Sequence, residues 1–339
     1  MTLPAPDAPA AAGPLARWRD ERIRHMLRYS PHNPVTGLAR TLMALGSAMS
    51  IAATPVEQLF LVTPARPEGR ICDGLAGAVG LFCVVPAGWL EPARWACVAV
   101  LLLVAAGWRP RLTALPHWWV AFSFCSATSV VDGGDQVAAD VALGLLPVLL
   151  TDPRRWHWQS APAPQAVSPA ARVAAHLGLV LVWVQVCVVY LQSSVAKLDV
   201  PEWRDGSAVW YWAMHPPFGV PDHLREPAGW VLAGGPAVLG ATWGTLAVEF
   251  LLAWCLFAHH SWRRIALPLG VGLHAAIAVV LGLPGFSLIM VAAVVLYLVR
   301  PGDPVPRWPR RSRPRTGGGG GVPRAADPPG SAAGAPAPR

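Results

Sequence analysis

The sequence predicts an all-α integral membrane protein, a polytopic bundle of eight or nine transmembrane helices. Hydrophobic residues make up 54% of the 339 residues and charged residues only 14%, whereas a typical soluble protein has about 25% charged residues. The mean hydropathy is +0.41. The 17 Trp, against four Tyr and eight Phe, are typical of side chains placed at the membrane interface. This composition excludes a soluble globular protein.

Apolar windows, uncharged apart from Asp140 and Glu249, place the helices along the chain. A transmembrane helix needs about 20 mostly apolar residues, with a lower limit near 17, and its backbone groups must be bonded within the segment. The windows that reach or approach this length are 41–56, 74–90, 95–108, 112–131, 136–151, 173–196, 239–258 and 265–299. The last is long enough for two spans, divided at residues 282–285.

Arg-rich loops orient these helices, because Lys and Arg are concentrated in cytoplasmic loops. If the C-terminal tail is cytoplasmic, three more basic clusters fall on the inner face: Arg109 with Arg111, Arg154 with Arg155 and Arg172, and Arg263 with Arg264. Residues 197–238 then lie on the outer face. Nine spans would put the Arg-rich stretch 17–28 outside, against the rule. We therefore expect one of the first three windows to be re-entrant or incomplete, and the 14-residue window 95–108 is the first candidate.

Three regions follow from these windows. Residues 1–36 form a basic N-terminal segment, cytoplasmic or interfacial, in which 16–29 alternate as in a helix lying on the membrane surface. Residues 37–300 form the transmembrane domain. Residues 301–339 are rich in Pro and contain five consecutive glycines at 317–321. They have too few large apolar side chains to fold, so we expect a disordered, basic cytoplasmic tail.

The basic charge singles out one residue. Of the net charge of +8, a surplus of six lies in residues 300–339, so the charge indicates topology and not a nucleic-acid partner. Lys197 is the only lysine among 27 basic residues. Arginine cannot lose its proton in a protein, whereas a desolvated lysine can, as a general base must. The alternative is a lysine that extends its ammonium to the interface from a helix end.

Glu249 and His274 lie in the middle of two consecutive apolar windows. An ionisable group at the centre of a span costs about 2.5–3.5 kcal/mol on the insertion scale and is usually functional. On antiparallel helices the two side chains are expected to meet. They form either a structural polar pair or, with Lys197, a catalytic site that has a base, a proton acceptor and an orienting group.

The outer segment 198–238 is the longest piece outside the windows on that face, and it is rich in Trp and Pro. It is expected to lie in the interface or to cover Lys197 as a lid. Such a surface suits a lipid-like quinone or an amphipathic peptide. The candidate residues for a cofactor are Tyr190, Trp203 and Trp210.

Two acidic residues and two cysteines have competing interpretations. Asp132 and Asp135 are weak candidates for a metal site, because a hard metal needs more oxygen ligands than this turn offers. We favour Asp135 as the N-cap of a helix that begins at Gln136. Cys72 and Cys83 could pair at an oxidising face, but we favour free cysteines that pack as small apolar residues.

The block Tyr190-Leu-Gln-Ser-Ser-Val-Ala-Lys197-Leu-Asp-Val-Pro-Glu-Trp203-Arg-Asp-Gly206 resembles the signature of the HTTM superfamily. That superfamily comprises the membrane domain shared with vitamin K-dependent γ-glutamyl carboxylase. Glu249 and His274 fit the same pattern. In the carboxylase, the lysine at the place of Lys197 deprotonates reduced vitamin K on the lumenal side. The resemblance implies an HTTM-like fold, Lys197 as the catalytic base and a reduced quinone as a cofactor.

Segments in the first half narrow the resemblance. The run from Asn33 to Gly46 is similar to the start of the sporulation-delaying protein B (SdpB) family, as are three later segments: Gly107-Trp-Arg-Pro-Arg111, His117-Trp-Trp119 and Asp132-Gly-Gly-Asp-Gln136. In that family the protein acts with a small partner to mature a secreted antimicrobial peptide toxin. The resemblance implies a maturation factor in a bacterial cell membrane. Its partners are the bilayer, an exported peptide precursor and a small SdpA-like protein. A non-catalytic scaffold or transporter-like partner that presents the peptide to a protease is the alternative.

Overall fold

The computed structural model describes residues 13–64, 66–129, 132–214 and 219–303, so the predicted tail lies outside the described residues from 304 onward. The regular structure of the described residues is helical, as predicted. In chain order the α-helices are α1 (Pro14–Arg28), α2 (Pro34–Ala53), α3 (Val56–Leu59), α4 (Gly74–Val79), α5 (Leu81–Val84), α6 (Leu90–Ala106), α7 (Pro110–Ala127), α8 (Gly133–Leu150), α9 (Pro169–Leu198), α10 (Pro201–Asp205), α11 (Ala208–Met214), α12 (Asp222–Leu232), α13 (Gly235–Trp254), α14 (His260–Val280) and α15 (Pro284–Leu298). Two 3₁₀ turns occupy Ala87–Trp89 and Pro164–Ala166.

Six of the described helical segments are long and apolar enough to cross a membrane. They are Pro34–Ala53, Ala87–Ala106, Gly133–Leu150, Pro169–Leu198, Gly235–Trp254 and His260–Val280. Helix α15 is apolar but has only 15 residues. The chain therefore has the features of a multi-pass membrane protein, and the predicted total of eight or nine spans stays a prediction.

Polar caps and prolines fix where the long helices begin. The side chains of Asn33, Asp132 and Ser168 accept hydrogen bonds from backbone amides three residues later, at the starts of α2, α8 and α9. Such caps satisfy amides that have no partner inside the helix. The assignment of Asp135 as the cap of α8 was wrong. Asp132 Oδ1 accepts from the Asp135 amide at 2.9 Å, so the helix begins at Gly133 and not at Gln136.

The window 74–90 is not a continuous helix. It folds as α4, α5 and the 3₁₀ turn at 87–89, with breaks at Gly80 and at Pro86, whose ring cannot donate a backbone hydrogen bond. The expectation that 95–108 is the incomplete window was wrong. Helix α6 continues through Arg94, because this guanidinium is buried and donates to the carbonyls of Ile51 and Ala52, near the end of α2, at 2.9 and 3.0 Å.

Cys72 and Cys83 form a disulfide, so the interpretation of both as free, packed thiols was wrong. The short helices α4 and α5 turn the chain back on itself and bring the two Cα atoms to 5.6 Å. Apolar packing suits cysteines within long helices, but these two lie in the folded-back segment. Cys97, Cys125, Cys187 and Cys255 are free.

The disulfide belongs to one end of the bundle. We call residues 54–64, 66–89, 128–129, 132–134 and 281–286 the disulfide end. The amide of Ile71 donates to the carbonyl of Ala127, and that of Ser129 donates to the carbonyl of Leu59, both at 2.9 Å. A Cβ atom at Gly134 would lie 3.0 Å from the Cα atom of Phe286, which places the starts of α8 and α15 together.

The opposite end carries the basic loops. We call residues 28–33, 107–110, 151–168, 255–260 and 299–303 the arginine end. The Arg109 amide donates to the Arg155 carbonyl at 2.7 Å, and a Cβ atom at Gly302 would lie 2.9 Å from the ring of Tyr29. His157 is buried here, and desolvation, together with Arg40 and Arg154, lowers its pKa to about 4.

Helix α15 lies inside the bundle, and its largest interface is with α2. The two helices approach closely at Gly46 and Gly285. A Cβ atom at Gly46 would lie 2.6 Å from the Gly285 carbonyl oxygen, so only glycine fits at this crossing. The main apolar core continues from this contact into α8, α9 and α13.

Candidate functional site

Helix α9 presents four polar side chains on one face near its C-terminal end. Tyr190, Ser193, Ser194 and Lys197 follow the spacing i, i+3, i+4 and i+7, which places them together on a helix. Lys197 lies in the last turn of α9, where the helix dipole favours a positive charge. This face packs against α13.

Lys197 is bonded to a carboxylate and a hydroxyl. Its Nζ donates to Oε1 and Oε2 of Glu249 at 2.8 and 2.9 Å and also to Oγ of Ser193. Ser193 Oγ donates in turn to Glu249 Oε1 at 3.3 Å. The Glu249 side chain is 9% exposed and the Lys197 side chain 22% exposed. The result is a nearly buried ion pair that keeps one edge open.

Helix α10 covers this ion pair. The Lys197 Nζ lies 5.3 Å from the ring centroid of Trp203, within the range of a cation–π contact. The chain turns at Gly206, whose φ of +87° and whose missing Cβ, 2.3 Å from Leu239 Cδ1, both require glycine. This turn lets Trp203 pack with Leu246 of α13. The predicted lid over Lys197 is therefore supplied by the segment directly after α9.

A second polar pair lies next to the first on α9. The Tyr190 hydroxyl and His274 Nε2 are 2.7 Å apart, and the two residues are 1% and 3% exposed. His274 Nδ1 has no hydrogen-bond partner among the described residues. The His274 ring centroid lies 5.8 Å from that of Phe286. Since Phe286 belongs to the disulfide end, the whole site lies toward that end.

The structure connects the predicted residues through α9. In the described part of the chain Glu249 and His274 make no hydrogen bond with each other. Glu249 binds Lys197, and His274 binds Tyr190. Sequence reasoning had not selected Ser193 for this site. Its position four residues before Lys197 was the available signal, because i and i+4 side chains meet on a helix.

The three cofactor candidates have different surroundings. Tyr190 is bonded to His274 and Trp203 faces Lys197, whereas Trp210 is half-buried on α11. The quinone stays a prediction. Lys197, Glu249 and Tyr190 are already bonded to neighbours, whereas His274 Nδ1 has no partner among the described residues, and no chemical step is assigned to a cofactor here.

The two acidic candidates for a metal lie at the start of α8. Asp132 caps the helix, and Asp135 is buried with its Oδ1 unpartnered among the described residues. Within the described ranges no group of three or more His, Cys, Asp or Glu is placed to hold a metal ion.

Two proteins of Bacillus subtilis (strain 168) are similar to this chain. It is 36% identical to the uncharacterized protein YitO over 288 residues, and the aligned region covers 84% of this chain and 88% of YitO. It is 32% identical to the sporulation-delaying protein SdpB over 208 residues, and the aligned region covers 61% of this chain and 64% of SdpB. No protein-family model matches the sequence. No solved structure matches it.

Proposed function

The chain belongs to the family of YitO, and from its similarity to SdpB we propose that it is a membrane-integral maturation factor for an exported antimicrobial peptide. A peptide precursor and a small SdpA-like protein are its proposed partners. The working site is built on Lys197, Glu249 and His274. The HTTM-like assignment, which rests on the motif from Tyr190 to Gly206, is part of the same proposal.

The disulfide end faces the outside of a bacterial cell membrane in this proposal, and the arginine end faces the cytoplasm. Two independent features support this orientation. Disulfides persist in oxidising compartments, and Arg-rich loops are retained in the cytoplasm. Because the window 74–90 is broken, eight passes of α2, α6–α9 and α13–α15 put the basic N-terminal segment and the C-terminal tail on the same inner side. All the Arg-rich stretches of the chain then lie on the cytoplasmic side.

This orientation places the site where an exported peptide arrives. Helix α9 begins at the arginine end and runs toward the disulfide end, so Lys197 lies near the outer face. About a fifth of its side chain is exposed, and Trp203 covers another part. A substrate group would therefore approach Lys197 along the edge left open by α10.

The ion pair can supply a base without changing the net charge of the site. When a proton passes from Lys197 Nζ to Glu249 Oε1, an ammonium and a carboxylate become a neutral amine and a carboxylic acid. In a poorly solvated site this exchange removes two charges together. The amine lone pair can then accept a proton from the substrate. The hydrogen bond between Tyr190 and His274 positions the face of α9 one to two turns away.

The arrangement that carries the proposal is the Lys197–Glu249–Ser193 cluster at the disulfide end, and Lys197→Arg tests it. Arginine keeps the charge but does not release a proton. We expect the yield of mature peptide to fall by about 10²-fold or more, the usual scale of general acid–base catalysis. The readouts are growth inhibition and the intact mass of the secreted peptide in a strain that co-expresses the protein with a candidate exported peptide precursor and an SdpA-like protein.

Arg204→Lys is the matched control, because Arg204 follows Trp203 on α10 but its side chain is exposed. Its peptide yield should equal that of the wild type, and all variants should accumulate equally in the membrane. A Lys197→Arg protein that keeps full activity would eliminate the base. The ion pair would then serve only to hold α9 and α13 together in a non-catalytic scaffold. Peptide maturation that is unchanged when the whole gene is deleted would eliminate the maturation role itself.

A further inference from the structure

A polar cavity lies at the arginine end, apart from the Lys197 site. It has a volume of about 220 Å³ and lies between the last turn of α1, the segment 161–167 and the first turn of α9. Its polar lining consists of Arg28, Tyr29, Ser30, His32 and Arg172. Drug-sized ligands occupy about 300–1,000 Å³, so this cavity suits a smaller group.

The positive charge of the residues that line the cavity favours an anionic ligand. Two guanidiniums, those of Arg28 and Arg172, contribute to the wall, and no carboxylate does. In the described ranges neither guanidinium forms an ion pair. Arg172 is 8% exposed, and a nearly buried cation without a counter-charge is costly unless a ligand compensates it. Planar guanidiniums bind phosphate oxygens in a two-point geometry.

His32 adds a hydrogen-bond acceptor to this wall. The residue is fully buried, and its Nε2 lies 3.0 Å from the Val148 carbonyl oxygen. A carbonyl only accepts, so Nε2 carries the ring proton. Nδ1 is then an acceptor, and it has no partner among the described residues. Burial also lowers the pKa of His32, which keeps the ring neutral. An acceptor beside two guanidiniums fits a ligand that has both an anionic phosphate and a hydroxyl.

The position of the cavity suits a lipid. Helix α1 is amphipathic and basic, with four exposed arginines, and it packs against α9. A helix of this kind lies at the level of the headgroups. Its last turn supplies Arg28, so the cavity opens beside the membrane surface. Basic pockets between helices on the cytoplasmic side are sites at which anionic headgroups bind.

We propose that this cavity binds the phosphodiester headgroup of an anionic, hydroxyl-bearing lipid such as phosphatidylglycerol. Arg28 and Arg172 hold the phosphate, and His32 Nδ1 accepts a hydrogen bond from the headgroup hydroxyl. The lipid tethers α1 to the start of α9. This site is separate from the Lys197 site, and its test does not depend on peptide maturation.

Native mass spectrometry of the delipidated full-length protein tests the proposal. The probes are phosphatidylglycerol, phosphatidylcholine and inorganic phosphate. We expect phosphatidylglycerol to bind at least about tenfold more tightly than phosphatidylcholine. Arg28→Gln and Arg172→Gln should each weaken phosphatidylglycerol binding by about tenfold, the scale of one charged hydrogen bond. Arg24→Gln is the matched control, because Arg24 is exposed one turn earlier on α1 and does not line the cavity.

Two results would overturn the assignment. Equal losses for Arg24→Gln and Arg28→Gln would show general attraction to a basic helix and not a site. Inorganic phosphate that displaces phosphatidylglycerol at equal concentration would make a soluble phosphate the ligand. Arg28 is exposed, so its variant keeps the test valid even where Arg172→Gln fails to fold. A size-exclusion profile checks folding in each case.

Discussion

Removing one member of the Lys197–Glu249 pair should cost more stability than removing both. The Glu249 side chain is 9% exposed, and Glu249→Leu would leave the ammonium of Lys197 without its counter-charge. Breaking a buried pair in this way costs about 3–5 kcal/mol. Because 22% of the Lys197 side chain reaches solvent, we expect the lower end, about 3 kcal/mol.

The double variant should recover most of this loss. Lys197→Met with Glu249→Leu replaces both charges by apolar groups of similar volume, a change that is often neutral in buried sites. We expect it to lie within about 1 kcal/mol of the wild type. The double-mutant cycle, with Glu249→Leu and Lys197→Met as its single variants, would then give a coupling energy of about 2 kcal/mol or more, as for residues in direct contact.

The assay is thermal or denaturant unfolding of the purified proteins in detergent, read by fluorescence and size exclusion. Additive losses, with the double variant less stable than either single one, would refute the coupled pair. The same variants also distinguish a role of the charges in peptide maturation from a role in folding. A double variant that is stable but does not mature the peptide would show that the charges act on the substrate and not only on the fold.

Two further predictions concern the ends of the bundle. Replacing Cys72 and Cys83 by Ser opens a loop of sequence separation 11, which on loop entropy should cost about 2.8 kcal/mol of unfolding free energy. Unfolding midpoints that are identical with and without reductant would contradict it. His157 has a folded pKa of about 4 against an ordinary 6.5. Stability is therefore complete above pH 6.5 and should fall by up to about 3 kcal/mol as the pH drops toward 4. The variant His157→Asn should flatten this pH profile, and a profile equal to that of the wild type would refute the assignment.

Sequence patterns selected residues that the structure brings into one polar cluster wherever a residue differs from its surroundings. Lys197 stands out in a chain that otherwise uses Arg, and Glu249 and His274 stand out in apolar windows. Their partners did not stand out. Ser193 is an ordinary serine in the sequence, and its role depends on which face of α9 meets α13. That choice is made by packing, which a single helix does not specify.

The apolar windows predicted a helix boundary wrongly where backbone carbonyls satisfy a charged side chain. Arg94 ended a predicted window because a charged group in a span is costly. In the fold it donates to the carbonyls of Ile51 and Ala52, so the helix passes through it. The opposite error occurred at 74–90, where the composition is apolar but Gly80 and Pro86 interrupt the helix.

The close approach of Gly46 and Gly285 also bears on how the chain is assembled. Helix α2 leaves the ribosome before the other described long helices, and α15 leaves it after them. At 15 residues, α15 is about 22 Å long, shorter than a hydrocarbon layer of about 30 Å, so it inserts poorly alone. The surface of α2 that contacts α15 stays uncovered until α15 has been synthesised. Final closure of the bundle is therefore a late event, and a nascent chain that stops before residue 284 exposes that surface to membrane quality control.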